Sequence, residues 1–460
     1  MSDGLDGWNG AEFVLAADRL DTPDVVEAAD PGDMLRQVAS AAAQVRTALR
    51  SCAETDLSAF SPETRPRAIV VAGMGGSGLA GEMLLAMTGL SSPVQVVASQ
   101  AERLPGWVGA ADVVIAVSFS GTTPETLAIA SEAARRGCRL AAVGTSGSPL
   151  HRIAEQARAP FIPVIPAGLP RSMLWALSIP LLVIAERLGV ARIGADVYEL
   201  AANRLEEVSH QCRPASESFV NPGKSLALDL VGTLPMVWGT SLLSGVAARR
   251  FSSQLNENAK YPAIAGVLPE AAHDQVAAFD GPFAPSPSRL ASPGPQSSPG
   301  PQSPGTSEPG TSEPGTSEPG TSEPGMAEPG TPAAGSLPAG TLPAETLPAD
   351  DGPDDLPDLS AWELDYEEAE PPSGFTPLKL VLVADPDEDP RVGAQRAAVT
   401  ELAEQRGIGL SELAMDGEHP LVRLAGVIQL TDYASVYLAI ASGIDPGQAV
   451  AIQDLKAGIE

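Results

Sequence analysis

Ala68-Ile69-Val70-Val71-Ala72-Gly73-Met74-Gly75-Gly76-Ser77-Gly78 is the stretch that decides the fold. Its first five residues are apolar without alternation, as a parallel strand buried on both faces requires. Four glycines then fall within six positions, which predicts a tight turn from strand into helix with backbone open to a ligand. Similar short β-rich runs lie at 93–98, 112–118, 139–144 and 160–164, and the runs at 68–72, 93–98 and 112–118 are each followed by helix-like sequence. Strands alternating with helices predict a doubly wound α/β domain with a parallel sheet.

On the N-terminal side, residues 1–60 read as a helical segment, with Met34, Leu35, Val38, Val45 and Leu49 at helical spacing. On the C-terminal side, a long helical region covers 172–212, and the most apolar stretch, 174–185, reads as a buried core helix interrupted by proline. It is shorter than the ~20 residues a membrane span needs. A second α/β pattern then begins. Strands are expected at 234–240, 276–279 and 378–384, and helices at 391–406, 422–442 and 446–458. The predicted architecture is therefore two doubly wound, parallel-sheet domains, over 61–220 and 221–460, behind the 1–60 segment. The length of 460 residues suits two cores of roughly 150–200 residues each.

The second pattern is interrupted at about 284–375 by a Pro-, Gly-, Ser- and acid-rich insertion. It holds four tandem Gly-Thr-Ser-Glu-Pro units at 305–324 and a degenerate fifth at 325–329. Such a segment buries too little to offset its ordering entropy and is expected to be disordered. It carries 16 acidic residues against one basic residue, which is −15 of the total formal charge of −30. Half of the net negative charge thus belongs to the insertion. The chain as a whole, with 28 Lys and Arg against 58 Asp and Glu, is a poor match for nucleic acid or for anionic membranes. Three widely spaced cysteines, Cys52, Cys138 and Cys212, suit a reducing, cytoplasmic setting, and no signal-like N-terminus is visible. The cysteines and the four histidines show no metal-ligand spacing.

Two loops carry the first functional signal. Gly73–Gly78 formally fits the dinucleotide fingerprint, yet the second strand run ends Ala98-Ser99-Gln100 without the acid that would hold a ribose. The third run ends in Ser118-Phe119-Ser120-Gly121-Thr122-Thr123-Pro124-Glu125-Thr126 just before a helix. Hydroxyls and the free N–H groups of a first helical turn can hold a phosphate without Lys or Arg, and Pro124 suits that first turn. A plain N-cap cluster is the alternative. Two such loops in register at the carboxyl ends of one sheet favour a phosphate-bearing ligand.

Gly-Met-Gly-Gly-Ser-Gly followed by Ser-Phe-Ser-Gly-Thr-Thr-Pro-Glu-Thr resembles the sugar isomerase (SIS) domain family, whose fold is flavodoxin-like. The resemblance implies that Ser118, Ser120 and Thr123 contact a phosphate and that Gly75, Gly76 and Ser77 line the sugar. A third cluster, Gln254-Leu255-Asn256-Glu257-Asn258-Ala259-Lys260, is followed sixteen residues after Glu257 by His273. A carboxylate and an imidazole are the groups an aldose–ketose isomerisation uses, one to move a proton between C1 and C2 and one to serve ring opening. Together with Asp432-Tyr433-Ala434-Ser435, Gly443-Ile444-Asp445-Pro446 and Leu455-Lys456, this cluster is similar to the bifunctional phosphoglucose/phosphomannose isomerases of bacteria and archaea.

That second resemblance implies Glu257 as the proton-transfer base, His273 as the ring-opening residue, Lys456 as a C-terminal active-site lysine and Arg171 as the cation facing the enediolate. It also implies a phosphosugar substrate, no cofactor, and a homodimer in which His273 reaches the neighbouring site. The chain departs from the family's usual Pro-Glu-Leu-Asn-His-Asn-Glu at Pro269–Gln275, and it has no Thr after Thr431, which leaves mannose activity open. The expected reaction is interconversion of fructose 6-phosphate with glucose 6-phosphate. A non-catalytic phosphosugar sensor, and more weakly an enzyme of amino-sugar phosphates, are the alternatives.

Overall fold

Strands β1 (Ala68–Ala72) and β3 (Val113–Ser118) are buried at every position, as their unbroken apolar sequences require. The computed structural model describes residues 10–89, 92–284 and 376–459; the expected disorder of the 284–375 insertion therefore falls almost entirely outside the described residues. Four helices precede the first sheet: α1 (Gly10–Asp21), α2 (Pro23–Ala29), α3 (Met34–Ala39) and α4 (Ala41–Glu54). The first sheet is built with α5 (Gly76–Thr88), β2 (Gln95–Ser99), α6 (Pro124–Arg135), β4 (Arg139–Gly144), α7 (Pro149–Ala157) and β5 (Phe161–Pro163). Three helices lead onward, α8 (Leu174–Arg187), α9 (Ala195–Gln211) and α10 (Pro222–Leu230). The second sheet comprises β6 (Leu234–Gly239), β7 (Ile264–Val267), β8 (Leu378–Ala384) and β9 (Gly409–Ala414). It is built with α11 (Leu242–Gln254), α12 (Pro390–Gln405) and α13 (Pro420–Ala441), and α14 (Val450–Ile459) follows.

Both sheets are wholly parallel, so the doubly wound expectation holds for each. The first runs β2-β1-β3-β4-β5 and the second β7-β6-β8-β9. The first order is the flavodoxin-like one, and the second repeats its first four places. Alternation along the strands divides the interior into three apolar clusters. Ile69 and Val71 join Val237, Val381 and Val383 in a central cluster shared by both sheets. Val70 and Ala72 face a second cluster with α6 and α7, while Met236, Trp238 and Leu380 face a third.

Four details differ from the sequence expectations. The run 276–279 is part of a 3₁₀ turn, Gln275–Asp280, because Phe279 stacks on the Trp238 ring at 5.8 Å instead of joining the sheet. The strand beside β6 is β7, whose Ile-Ala-Gly-Val sequence is short and half-exposed. Strand β9 was not anticipated; it is an edge strand with no buried residue. Between β2 and β3 the described chain makes bends and turns, not the expected helix. The 174–185 stretch forms the buried α8 as expected, with Pro180 inside it. The helix long and apolar enough to cross a membrane is instead α13, and 94% of its apolar window is buried inside the protein.

The N-terminal helices are tied to the second half by polar contacts to helix ends. Arg19 donates to the carbonyl of Ala441 at 2.8 Å. Lys224, 1% exposed, donates to the carbonyls of Leu20, Pro214 and Ser216 at 2.6, 2.9 and 2.7 Å. Burial pushes its ammonium down, and the nearby Asp21 charge opposes that shift. Lys224→Met would strand three carbonyls, so urea unfolding should show a loss of about 3 kcal/mol with α/β circular dichroism retained.

Candidate functional site

The carboxyl ends of β1 and β3 open side by side, because the chain passes from β1 to one side of the sheet at β2 and to the other at β3. Ligands in open α/β sheets bind at such a switch point. Of the glycines after β1, two serve packing. A Cβ on Gly73 would lie 2.8 Å from the Ser77 backbone, and one on Gly78 would lie 2.7 Å from the Gln100 side chain. The other two are open. Gly75 has φ 55° with nothing within 4 Å of an added Cβ, and at Gly76 the nearest atom is the Pro170 carbonyl at 3.9 Å. Ser77 is buried just inside the start of α5.

After β3, the hydroxyls organise one another. Ser118 Oγ accepts from the Gly121 amide at 3.0 Å and lies 2.9 Å from Thr123 Oγ1. Ser120 and Thr122 hydroxyls are 2.9 Å apart and exposed. Gly121 turns the loop with φ 68°, and a Cβ there would lie 2.1 Å from Ser148 Oγ. Thr123 occupies the N-cap of α6 without using its side chain to cap the helix, and Pro124 fills the first helical position. Thr126 Oγ1, in the same first turn, is buried with no partner among the described residues. This loop can present amide N–H groups and hydroxyls to an oxyanion.

A third element borders the glycine loop. Arg171 sits in the 3₁₀ turn Pro170–Ser172, directly after the Pro170 carbonyl that borders Gly76, and is 8% exposed. Its Nε donates to Asn258 Oδ1 at 2.8 Å, and its Nη2 donates to the carbonyls of Pro446 and Gly447. All three acceptors are neutral. Burial holds the guanidinium below its ordinary range; the Glu257 and Asp445 charges oppose that shift, and Arg250 adds to it.

Glu257 lies in the π turn Leu255–Ala259 that continues α11. The side chain is half-buried and accepts no hydrogen bond among the described residues, so its oxygens are available to a ligand. Lys260 closes the turn with φ 59° and returns its ammonium to the carbonyls of Asn258 and Asp445 at 3.0 and 2.8 Å. Burial pushes that ammonium down as well, with Arg171 adding to the shift and Asp445 and Glu257 opposing it. Arg171, Glu257 and Lys260 therefore form one electrostatic group.

Two other expected residues make no recorded contact with this group among the described residues. His273 follows the 3₁₀ turn Glu270–Ala272 and is exposed; its ring makes no hydrogen bond or ion pair among the described residues. Lys456 belongs to α14, but its side chain lies outside the described residues. Among the described residues no group of three His, Cys, Asp or Glu could hold a metal. The sequence reading missed Asn258, Lys260, Arg250 and Asp432 as site components. A signal existed for the last: a carboxylate within the apolar α13 must find a buried partner.

Comparison with known proteins gives the family. The sequence profile for the bacterial phospho-glucose isomerase C-terminal SIS domain matches residues 219–459, more than half of the chain. The chain belongs to this phospho-glucose isomerase family. A general SIS-domain profile matches residues 64–162, which covers the first sheet. Two bifunctional phosphoglucose/phosphomannose isomerases are similar. The one from Caldicellulosiruptor bescii is 32% identical over 215 residues, 46% of this chain and 63% of the relative. The one from Aquifex aeolicus is 31% identical over 220 residues, 47% of this chain and 63% of the relative. The chain thus spans less than two thirds of these relatives. Among solved structures, a glucose-6-phosphate isomerase from Chlamydia trachomatis shares the fold, with a TM-score of 0.58 at 13% identity over 98% of this chain and 85% of that one.

For this phospho-glucose isomerase family member, the Gly121 turn gives a direct test of the hydroxyl loop. Gly121→Ala should weaken inorganic phosphate binding about tenfold or more, read by calorimetry, because the left-handed backbone costs ~1 kcal/mol and Ser148 must also move.

Proposed function

We propose that this chain is a sugar-phosphate isomerase that interconverts fructose 6-phosphate and glucose 6-phosphate through an enediolate. The observation that carries the reading is the electrostatic coupling of Glu257, a carboxylate without a hydrogen-bond partner among the described residues, to Arg171, a buried guanidinium whose acceptors are all neutral. In this reading Ser118, Ser120, Thr123 and the first turn of α6 hold the phosphate. Gly75, Gly76 and Ser77 leave room for the sugar between that loop and Arg171.

Glu257 removes the proton from C2 of the open-chain aldose and returns it to C1, while a proton passes between O1 and O2. The electron pair left at C2 becomes the C1–C2 double bond of the enediolate, so the reaction needs no external oxidant. Arg171 stabilises the oxyanion that forms in the step. His273 acts in ring opening from a second copy of the chain, in keeping with an exposed ring that has no partner among the described residues, and Lys456 is the C-terminal active-site lysine. Glucose and mannose 6-phosphates share one enediolate, so both belong in the assay.

A dehydrogenase-coupled assay on the purified full chain tests the reading. Glu257→Gln should lower kcat by about a thousandfold, within the range proton-transfer groups contribute, with little change in melting temperature. Equal turnover by the wild type and this variant would remove Glu257 from the mechanism. The altered surroundings of His273 favour one second reading, a phosphosugar sensor. Stabilisation by fructose 6-phosphate without any turnover would select it.

A further inference from the structure

Arg171 is held by a closed hydrogen-bond circuit that runs through three separate segments: its own 3₁₀ turn, α11 with the π turn that continues it, and α13. Its backbone carbonyl accepts from Arg250 Nη2 at 2.7 Å. Arg250 Nε and Nη2 also donate to the two carboxylate oxygens of Asp432 at 2.9 and 2.8 Å. The Asp432 carbonyl accepts from Ser435 Oγ at 2.7 Å, and Ser435 Oγ accepts from Asn258 Nδ2 at 2.9 Å. Asn258 Oδ1 then accepts from Arg171 Nε at 2.8 Å, which closes the ring. All five residues are buried.

The chemistry of each link fixes its direction. Asn258 has one face toward donors and one toward acceptors: Nδ2 also donates to Gln254 Oε1 at 3.2 Å, so its oxygen must face Arg171. The circuit grips Arg171 at both main chain and side chain, and it grips the π turn one residue after Glu257. The relative placement of the proposed base and the proposed oxyanion partner is therefore set by Arg250, Asp432, Ser435 and Asn258. A plain stabilising role accounts for the Arg250–Asp432 pair alone. It does not account for the pair's extension through Ser435 and Asn258 back to Arg171.

We propose that Arg250, Asp432, Ser435 and Asn258 are positioning residues that hold Arg171 against Glu257, an inference that rests on the isomerase reading above. Small misplacements of a reacting group are costly in rate, whereas none of the circuit's hydrogen bonds reaches the α6 loop proposed to hold the phosphate.

The test uses the full chain with Ser435→Ala and, separately, Asp432→Asn. It reads kcat and KM for fructose 6-phosphate, melting temperature, and affinity for two probes. One probe is inorganic phosphate. The other is a phosphorylated five-carbon aldonate whose carboxylate imitates the enediolate. Ser435→Ala should lower kcat and aldonate affinity about tenfold each, while KM and phosphate affinity change by less than about twofold. Ser435→Cys, which keeps a weak donor and acceptor, should restore part of both losses. If Asp432→Asn does not fold, the Ser435 variants carry the test. A folded Ser435→Ala protein with wild-type kcat and aldonate affinity overturns the positioning role and leaves the isomerase reading standing. A kcat loss that only tracks a lower melting temperature, with the ratio of aldonate to phosphate affinity unchanged, also overturns it. A wild-type protein that neither turns over nor binds the aldonate removes the isomerase reading, and the positioning role falls with it.

Discussion

A buried cation with neutral partners is the constraint around which this site is organised. Arg171 spends its hydrogen bonds on an amide oxygen and two backbone carbonyls, so its charge is solvated without being cancelled. Such a group is costly to bury and keeps its attraction for an anion. The neighbouring Arg250 makes the burden worse, since its like charge adds to the downward shift of the Arg171 guanidinium. Asp432 offsets that charge by pairing with Arg250 through both carboxylate oxygens. Burial pushes the Asp432 carboxyl up, and Arg250 opposes the shift. One arginine is neutralised so that the other can remain a cation.

The two sheets use the same topology for opposite ends. At the first, the switch point between β1 and β3 is kept open by glycine at 75 and 76 and lined with hydroxyls. At the second, the corresponding point between β6 and β8 is filled. Ser241 Oγ donates to Asp385 Oδ2 at 2.6 Å, the Asp385 amide donates to Thr240 Oγ1 at 3.0 Å, and Arg423 reaches Asp385 at 3.3 Å. Asp385 and Arg423 are each 4% exposed. A carboxylate at that position repels phosphate, and the ion pair leaves no room for it. The second sheet supplies instead the scaffold for α11 and α13, which carry the circuit behind Arg171.

Local patterns in the sequence disclosed what local physics controls. The apolar strands and the glycine and hydroxyl loops could be read because burial on two faces and close backbone approach leave marks on adjacent residues. β7 and β9 could not, since an edge strand needs little burial and β7 contains Gly266, which packs tightly under Trp238 and Gln275. Phe279 misled in the other direction, its apolar run serving a turn that covers Trp238. Glu257 and Arg171 were expected together only through resemblance, and the structure brings them into one electrostatic group. The Arg250–Asp432 pair spans 182 residues, and no spacing rule connects them.

The π turn shows why the cluster is irregular where it is. π turns are rare and concentrate at functional sites. Here the wide turn gives adjacent residues different tasks: Asn258 is fully buried against Arg171 and Ser435, while Glu257 keeps its carboxylate open. Lys260 then accepts a left-handed backbone, a cost of ~1–2 kcal/mol for a non-glycine residue. Two hydrogen bonds from its ammonium, to Asn258 and Asp445, contribute about 1 kcal/mol or more each and offset that strain. They also fasten the π turn to the 445–447 loop that Arg171 holds from the other side. The irregular backbone thus lets Asn258 and Lys260 be tied inward while Glu257, beside them, is left without a hydrogen-bond partner among the described residues.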